Sequence, residues 1–208
     1  GSTGRIAEGI AEVVMDEGWS CFTAYGRWAN TSKTHLYRIG NKYNVYFHYL
    51  KSRLLDMHGL GSQQSTKRLI EEIKEVNPDL IHLHNIHGYY INYPLLFEFL
   101  SEVNIPIIWT LHDYKLLCPR YDCLRNGNKV CEECFADKHK VLEYKCMKNS
   151  KLASMLAYKE AMKWSREKLE SYTDAFICPS QFMYNKMAQG GFDRKKMYTL
   201  CNFIDIER

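Results

Sequence analysis

The run PIIWTLHDYKLLC at residues 106–118 leaves the chain few ways to fold. Ile107, Ile108, Trp109, Thr110 and Leu111 are apolar or β-branched, show no helical period and read as a strand buried on both faces. That strand stops at the polar pair His112 and Asp113. In open parallel α/β sheets ligands sit in the crevice beyond the carboxyl ends of the strands, which makes both residues candidates for substrate contact. Five residues after Asp113, Cys118 opens a cysteine-rich stretch, so the strand mouth and the thiols are neighbours in sequence.

Strand and helix patterns alternate on either side. Helical spacing of Ile6, Ile10, Val13 and Val14 predicts a helix over 3–17, entered through a glycine-bearing loop. Strands are expected over 20–25 and 34–39, an amphipathic helix over 63–76, a strand over 80–84 and a helix over 93–103. Beyond the cysteines, a long basic helix over 150–172, a strand over 174–178, a helix over 180–189 and a strand over 196–201 complete the pattern. Residues 43–57 suit one or two helices. This rhythm predicts an α/β fold: a doubly wound, mainly parallel sheet flanked by helices, with a Cys-rich loop insertion at about 114–149. With 208 residues, 46% of them hydrophobic, one large domain over 1–201 is the simplest arrangement. Read as native sequence, Gly1 starts in a loop, and the central first strand of such a sheet is expected ahead of it.

Composition narrows the function classes. No run of 20 apolar residues is present to span a membrane. No signal peptide opens the sequence, so a reducing cytoplasm is expected, where clustered thiols favour metal or free thiol over disulfide. A formal net charge of +4 is too small alone to argue for nucleic acid.

Four groups of residues carry candidate chemistry. Gly1, Ser2, Thr3, Gly4 and Arg5 lead into a helix N-terminus, whose unpaired N–H groups suit a phosphate; the plainer reading is an ordinary chain start with a threonine cap. His82 and His84 share one strand face by alternation, with Asn85 at the tip and His87 in the loop above. These histidines and His112 suit sugar hydroxyls or phosphate, while His82 also reads as a buried histidine satisfied by backbone. They lack a carboxylate partner at metal-ligand spacing. Asp113 either orients His112 or caps the next segment. Cys118, Cys123, Cys131, Cys134 and Cys146 form a C-x4-C-x7-C-x2-C-x11-C series, and Cys118, Cys131, Cys134 and Cys146 are favoured for a structural zinc, leaving Cys123 free. Reduced thiols, or one or two disulfides, remain the alternative. Cys21, Cys178 and Cys201 read as small core residues on strands. The Lys- and Arg-rich stretch 138–168 suits either an anionic membrane surface or a solvated helix face.

Taken together, Gly1 to Ile6, HLHNIHG at 82–88, WTLHD at 109–113, Cys118-Pro119, Cys178-Pro179-Ser180 and NFID at 202–205 resemble the N-terminal, acceptor-side domain of bacterial family-four glycosyltransferases of the GT-B fold. The resemblance implies half of a two-domain enzyme that transfers a sugar from a UDP- or GDP-sugar with retention and without a catalytic metal. It implies that Gly1 to Arg5 lie near the donor diphosphate, His112 near the transferred sugar, and His84, Asn85 and His87 on the acceptor side, with Ser180 beginning a helix at the same mouth. Residues 202–208 would start the linker to a C-terminal donor-binding domain, without which the chain is expected to be inactive. The implied setting is capsular, O-antigen or exopolysaccharide assembly on a glycan or lipid-linked acceptor, in the cytoplasm and peripheral on the inner face of the cell membrane. The competing reading is a non-enzymatic, zinc-binding module that contacts nucleic acid; it leaves the glycine loop and strand-tip histidines without a role.

Overall fold

The computed structural model describes residues 2–26, 32–40, 62–86, 90–125 and 127–203. The chain divides into two compact units, one of Gly1–Asp79, His84–Ile105 and Asn202–Arg208, the other of Leu80–Leu83 and Pro106–Cys201.

In the first unit, α1 (Ser2–Asp16) precedes β1 (Phe22–Tyr25) and β2 (His35–Arg38), which pair in parallel from Phe22 opposite His35 to Tyr25 opposite Arg38. Glu8 on α1 anchors the approach to β2, accepting from Ser32 Oγ at 2.8 Å and from the Lys33 N–H at 3.2 Å. The amphipathic pattern of residues 63–76 forms α2 (Gln63–Val76), ended by Asn77 in the left-handed region at φ 46°. Helix α3 (Tyr93–Glu102) starts where the Asn92 side chain accepts from the Leu95 N–H at 3.2 Å, with Pro94 in its first turn. Buried Thr66 accepts from the buried Asn92 N–H at 2.8 Å, which ties α2 to the start of α3.

The second unit holds β3 (Ile81–Leu83) and β4 (Ile107–Thr110), paired in parallel with His82 opposite Ile108. The chain then forms a short hairpin of β5 (Leu124–Arg125) and β6 (Lys129–Val130), a 3-10 turn (Glu133–Phe135), and α4 (Lys140–Glu143), α5 (Lys151–Lys163) and α6 (Arg166–Tyr172). It returns through β7 (Ala175–Cys178), α7 (Gln181–Gln189) and β8 (Met197–Thr199). The sheet order is β3-β4-β7-β8, all parallel. Two reciprocal bonds fix the entry of its central pair: Asp174 Oδ2 accepts from the Ile107 N–H at 2.8 Å, and the Asp174 N–H donates to the Ile107 carbonyl at 2.9 Å. Ile107, Trp109 and Leu111 are buried, and Phe176 on β7 stacks against Trp109 at 6.4 Å and meets Phe192 edge-on at 5.3 Å. A strand buried on both faces is what its sequence predicts.

Several expectations need correction. Instead of one continuous sheet, the described parallel strands fall into a pair and a set of four. Ser2, Thr3, Gly4 and Arg5 belong to the first turn of α1 rather than to a loop before it; Gly1 lies outside the described residues. The single basic helix over 150–172 is two helices, because Trp164 leaves helical geometry at ψ 61° and Ser165 is extended at ψ 159° before α6 restarts. Cys178 is a fully buried core residue, but Cys21 is half-buried ahead of β1 and Cys201, past the end of β8, is exposed. Residues 43–57 and 204–208 lie outside the described residues.

Candidate active site

Parallel pairing brings the carboxyl ends of β3, β4 and β7 to one edge of the four-stranded sheet. His82 Nε2 lies 2.8 Å from Thr110 Oγ1 there, so the last residue of β4 holds the imidazole of β3. Burial pushes His82 down from its ordinary value to about 4, and the positive charge available at neighbouring His112 adds to the effect. His82 is therefore neutral at physiological pH. The ladder continues one step past β4, where the Leu111 N–H donates to the Ile177 carbonyl at 2.9 Å, and half-buried His112 follows.

Asp113 caps the next segment: its Oδ1 accepts from the Lys115 N–H at 2.9 Å. Lys115 then anchors the outgoing chain, donating to the Pro119 carbonyl at 3.1 Å and pairing with Glu160 of α5 at 3.0 Å. Buried Leu117 occupies the space at Gly190 after α7, where an added Cβ would collide with a Leu117 methyl. Ser180, two residues beyond β7, caps α7 by accepting from the Met183 N–H at 3.1 Å.

His84 and Asn85 follow β3 directly but belong to the first unit, and both are half-buried. The Asn85 carbonyl accepts from the Tyr90 hydroxyl at 2.9 Å, while its buried Oδ1 has no hydrogen-bond partner among the described residues. His87 lies outside the described residues. The sheet thus joins His82, Thr110, His112, Asp113 and Ser180 at one edge. Sequence reading missed Thr110, since the hydroxyl that satisfies His82 comes from a strand 28 residues away. Neutral imidazole and hydroxyl groups at a strand mouth offer paired donors and acceptors to sugar hydroxyls or phosphate oxygens.

The profile described as Glycosyltransferase Family 4 matches residues 28–208. The chain belongs to glycosyltransferase family 4. No curated protein and no solved structure matches it. The family 4 span identifies a glycosyltransferase N-terminal domain and takes in the strand-mouth residues from His82 to Ser180 together with the cysteine series from Cys118 to Cys146. It starts beyond α1, so it does not bear on Gly1 to Arg5. It lends nothing to the nucleic-acid-binding module.

Among the cysteines the structure buries Cys118, Cys123 and Cys134, and leaves Cys131 and Cys146 half-buried. Cys123, left out of the favoured set by spacing, is buried as Cys118 and Cys134 are. Among the described residues no group of three or more His, Cys, Asp or Glu side chains could hold a metal ion.

Proposed function

We propose that the chain is the acceptor-side half of a retaining glycosyltransferase that moves a sugar from a UDP- or GDP-sugar to a glycan or lipid-linked acceptor in polysaccharide biosynthesis. The family 4 match, with His112 and Asp113 following β4 beside the His82 and Thr110 pair, is the observation that carries this reading. A departing nucleoside diphosphate gains negative charge, which positioned N–H donors stabilise most strongly in a water-poor site. His112 is the donor assigned to the transferred sugar, and Asp113 sets its height by turning the chain at Lys115. Thr110 and neutral His82 keep one imidazole uncharged beside His112. His84, Asn85 and His87 are assigned to the acceptor, Ser180 to the same mouth at the start of α7, and the first turn of α1, with Arg5, to the donor phosphates. A C-terminal donor-binding domain of the same enzyme supplies the nucleotide site, and no catalytic metal takes part.

The enzyme acts in the cytoplasm against the inner face of the membrane. Support comes from α5, where Leu152, Met155 and Met162 are 65%, 40% and 51% exposed beside the exposed Lys151, Lys159 and Lys163. No described helix is long and apolar enough to cross a membrane. Incubating the intact enzyme with a panel of UDP- and GDP-sugars and an acceptor glycan, then reading product anomers by NMR, tests the reaction class. Transfer with the donor's anomeric configuration is expected; an inverted product, or no transfer from any donor, contradicts it.

A further inference from the structure

The chain that leaves β4 closes back on itself beside the strand mouth. Leu117 and Cys118 both donate their N–H groups to the Tyr114 carbonyl, at 2.9 and 2.7 Å, and the Tyr121 N–H donates to the Cys118 carbonyl at 2.7 Å. The last link returns to the start, because the Tyr114 N–H donates to the Tyr121 carbonyl at 3.1 Å. Tyr114 follows His112 and Asp113 directly, so this bond sets the Tyr121 backbone against the turn that carries both residues.

The conformation of Tyr121 is costly for its residue type. Its φ of 70° is left-handed, and among the seven described non-glycine residues of positive φ it is the one aromatic. A bulky side chain is rarely found in that region and stays there where the surroundings enforce it. Both neighbours are fastened. Arg120 Nε donates to Asp122 Oδ1 and Oδ2 at 3.1 and 2.9 Å, and Arg120 Nη1 donates to the Cys146 carbonyl at 2.8 Å. Asp122 Oδ1 also accepts from the Leu124 N–H at 3.0 Å. Arg120 and Asp122 are half-buried, yet Tyr121 between them is 50% exposed. A fixed, strained backbone thus holds a large ring out towards solvent beside the turn at His112. The face of such a ring is negative, and the axial C–H bonds on one side of a pyranose are apolar and weakly positive, so the two surfaces stack. Because the backbone is fixed in advance, little ordering cost falls on binding.

We propose that Tyr121 is a stacking platform for a pyranose ring bound at the mouth of β4. That the ligand is a sugar rests on the glycosyltransferase reading above. Saturation-transfer NMR on the intact protein, with methyl β-D-glucoside and methyl β-D-galactoside as probes, reads binding without turnover. The wild type is expected to pass saturation mainly to the C–H protons of one ring face. Tyr121→Phe should retain the effect, and Tyr121→Gly, which tolerates the left-handed backbone, should lose it. Kinetics of the same variants identify the sugar's source. A KM raised about tenfold in Tyr121→Gly for the acceptor assigns the acceptor sugar, and the same rise for the sugar nucleotide assigns the transferred one. A ring that merely held the loop would lower the thermal midpoint when removed, whereas Tyr121→Gly should melt no lower than the wild type. Saturation transfer absent from the wild type or undiminished in Tyr121→Gly, both KM values unchanged, or a lowered Tyr121→Gly midpoint would each overturn the proposal. Saturation lost in Tyr121→Gly of an enzyme that transfers no sugar would support the platform and contradict the transfer reading alone.

Discussion

His82 links local geometry to a measurable pH dependence. Its Nε2 meets Thr110 Oγ1 at 2.8 Å, and burial first, then His112, holds it at about 4 against an ordinary 6.5. Between those values the unfolded chain binds the extra proton, so stability falls as pH drops from 6.5 towards 4 and is indifferent to His82 above about 7. The difference amounts to roughly 3 kcal/mol at its limit. Urea midpoints at pH 7 and pH 5 should separate in the wild type and converge in His82→Gln; an unchanged gap in the variant would assign the effect elsewhere. Ser180 gives a second test at this scale. Its hydroxyl oxygen accepts from the Met183 N–H at 3.1 Å, so Ser180→Ala should cost about 1 kcal/mol in a denaturant titration and Ser180→Asp should recover most of it. Sequence alone placed His112 and Ser180 after their strands, because strand ends are local signals. It could not place Thr110 on His82, since that contact depends on chain return.

At the scale of elements, β7 is the strand on which the four-stranded sheet depends. Phe176 is fully buried between Trp109 and Phe192, and Phe176→Ala should cost about 3 to 5 kcal/mol, read as a lowered thermal midpoint. A loss below 1 kcal/mol would show that the aromatic stack does not hold β4 to β7. Helix α2 was legible to the residue, because its apolar spacing is regular and Asn77-Pro78 stops it. The α5 to α6 break was not, because no proline or glycine marks it. Instead, Arg166 is fastened to the Gly191 carbonyl, and Leu169 donates back to the Ser165 carbonyl at 3.0 Å. A tertiary contact thus sets the start of α6, which periodicity cannot reveal.

For the whole molecule, alternation of strand and helix was sufficient to predict a parallel α/β architecture, but not its division into two compact units, which follows from packing rather than pattern. Membrane association belongs to this scale. Sedimentation with anionic vesicles should pellet the intact enzyme and neutral vesicles should not, with binding weakened by salt and by glutamate at Lys151, Lys159 and Lys163 on α5. Equal behaviour toward both lipids would remove α5 from the account. The central claim is that transfer occurs at the carboxyl end of β4. It is tested most directly by measuring kcat/KM of the intact enzyme and of His112→Ala over the panel of UDP- and GDP-sugars. Turnover with one donor in the wild type and a fall of about 100-fold or more in a still-folded variant is the predicted result; full activity in His112→Ala would place the chemistry elsewhere.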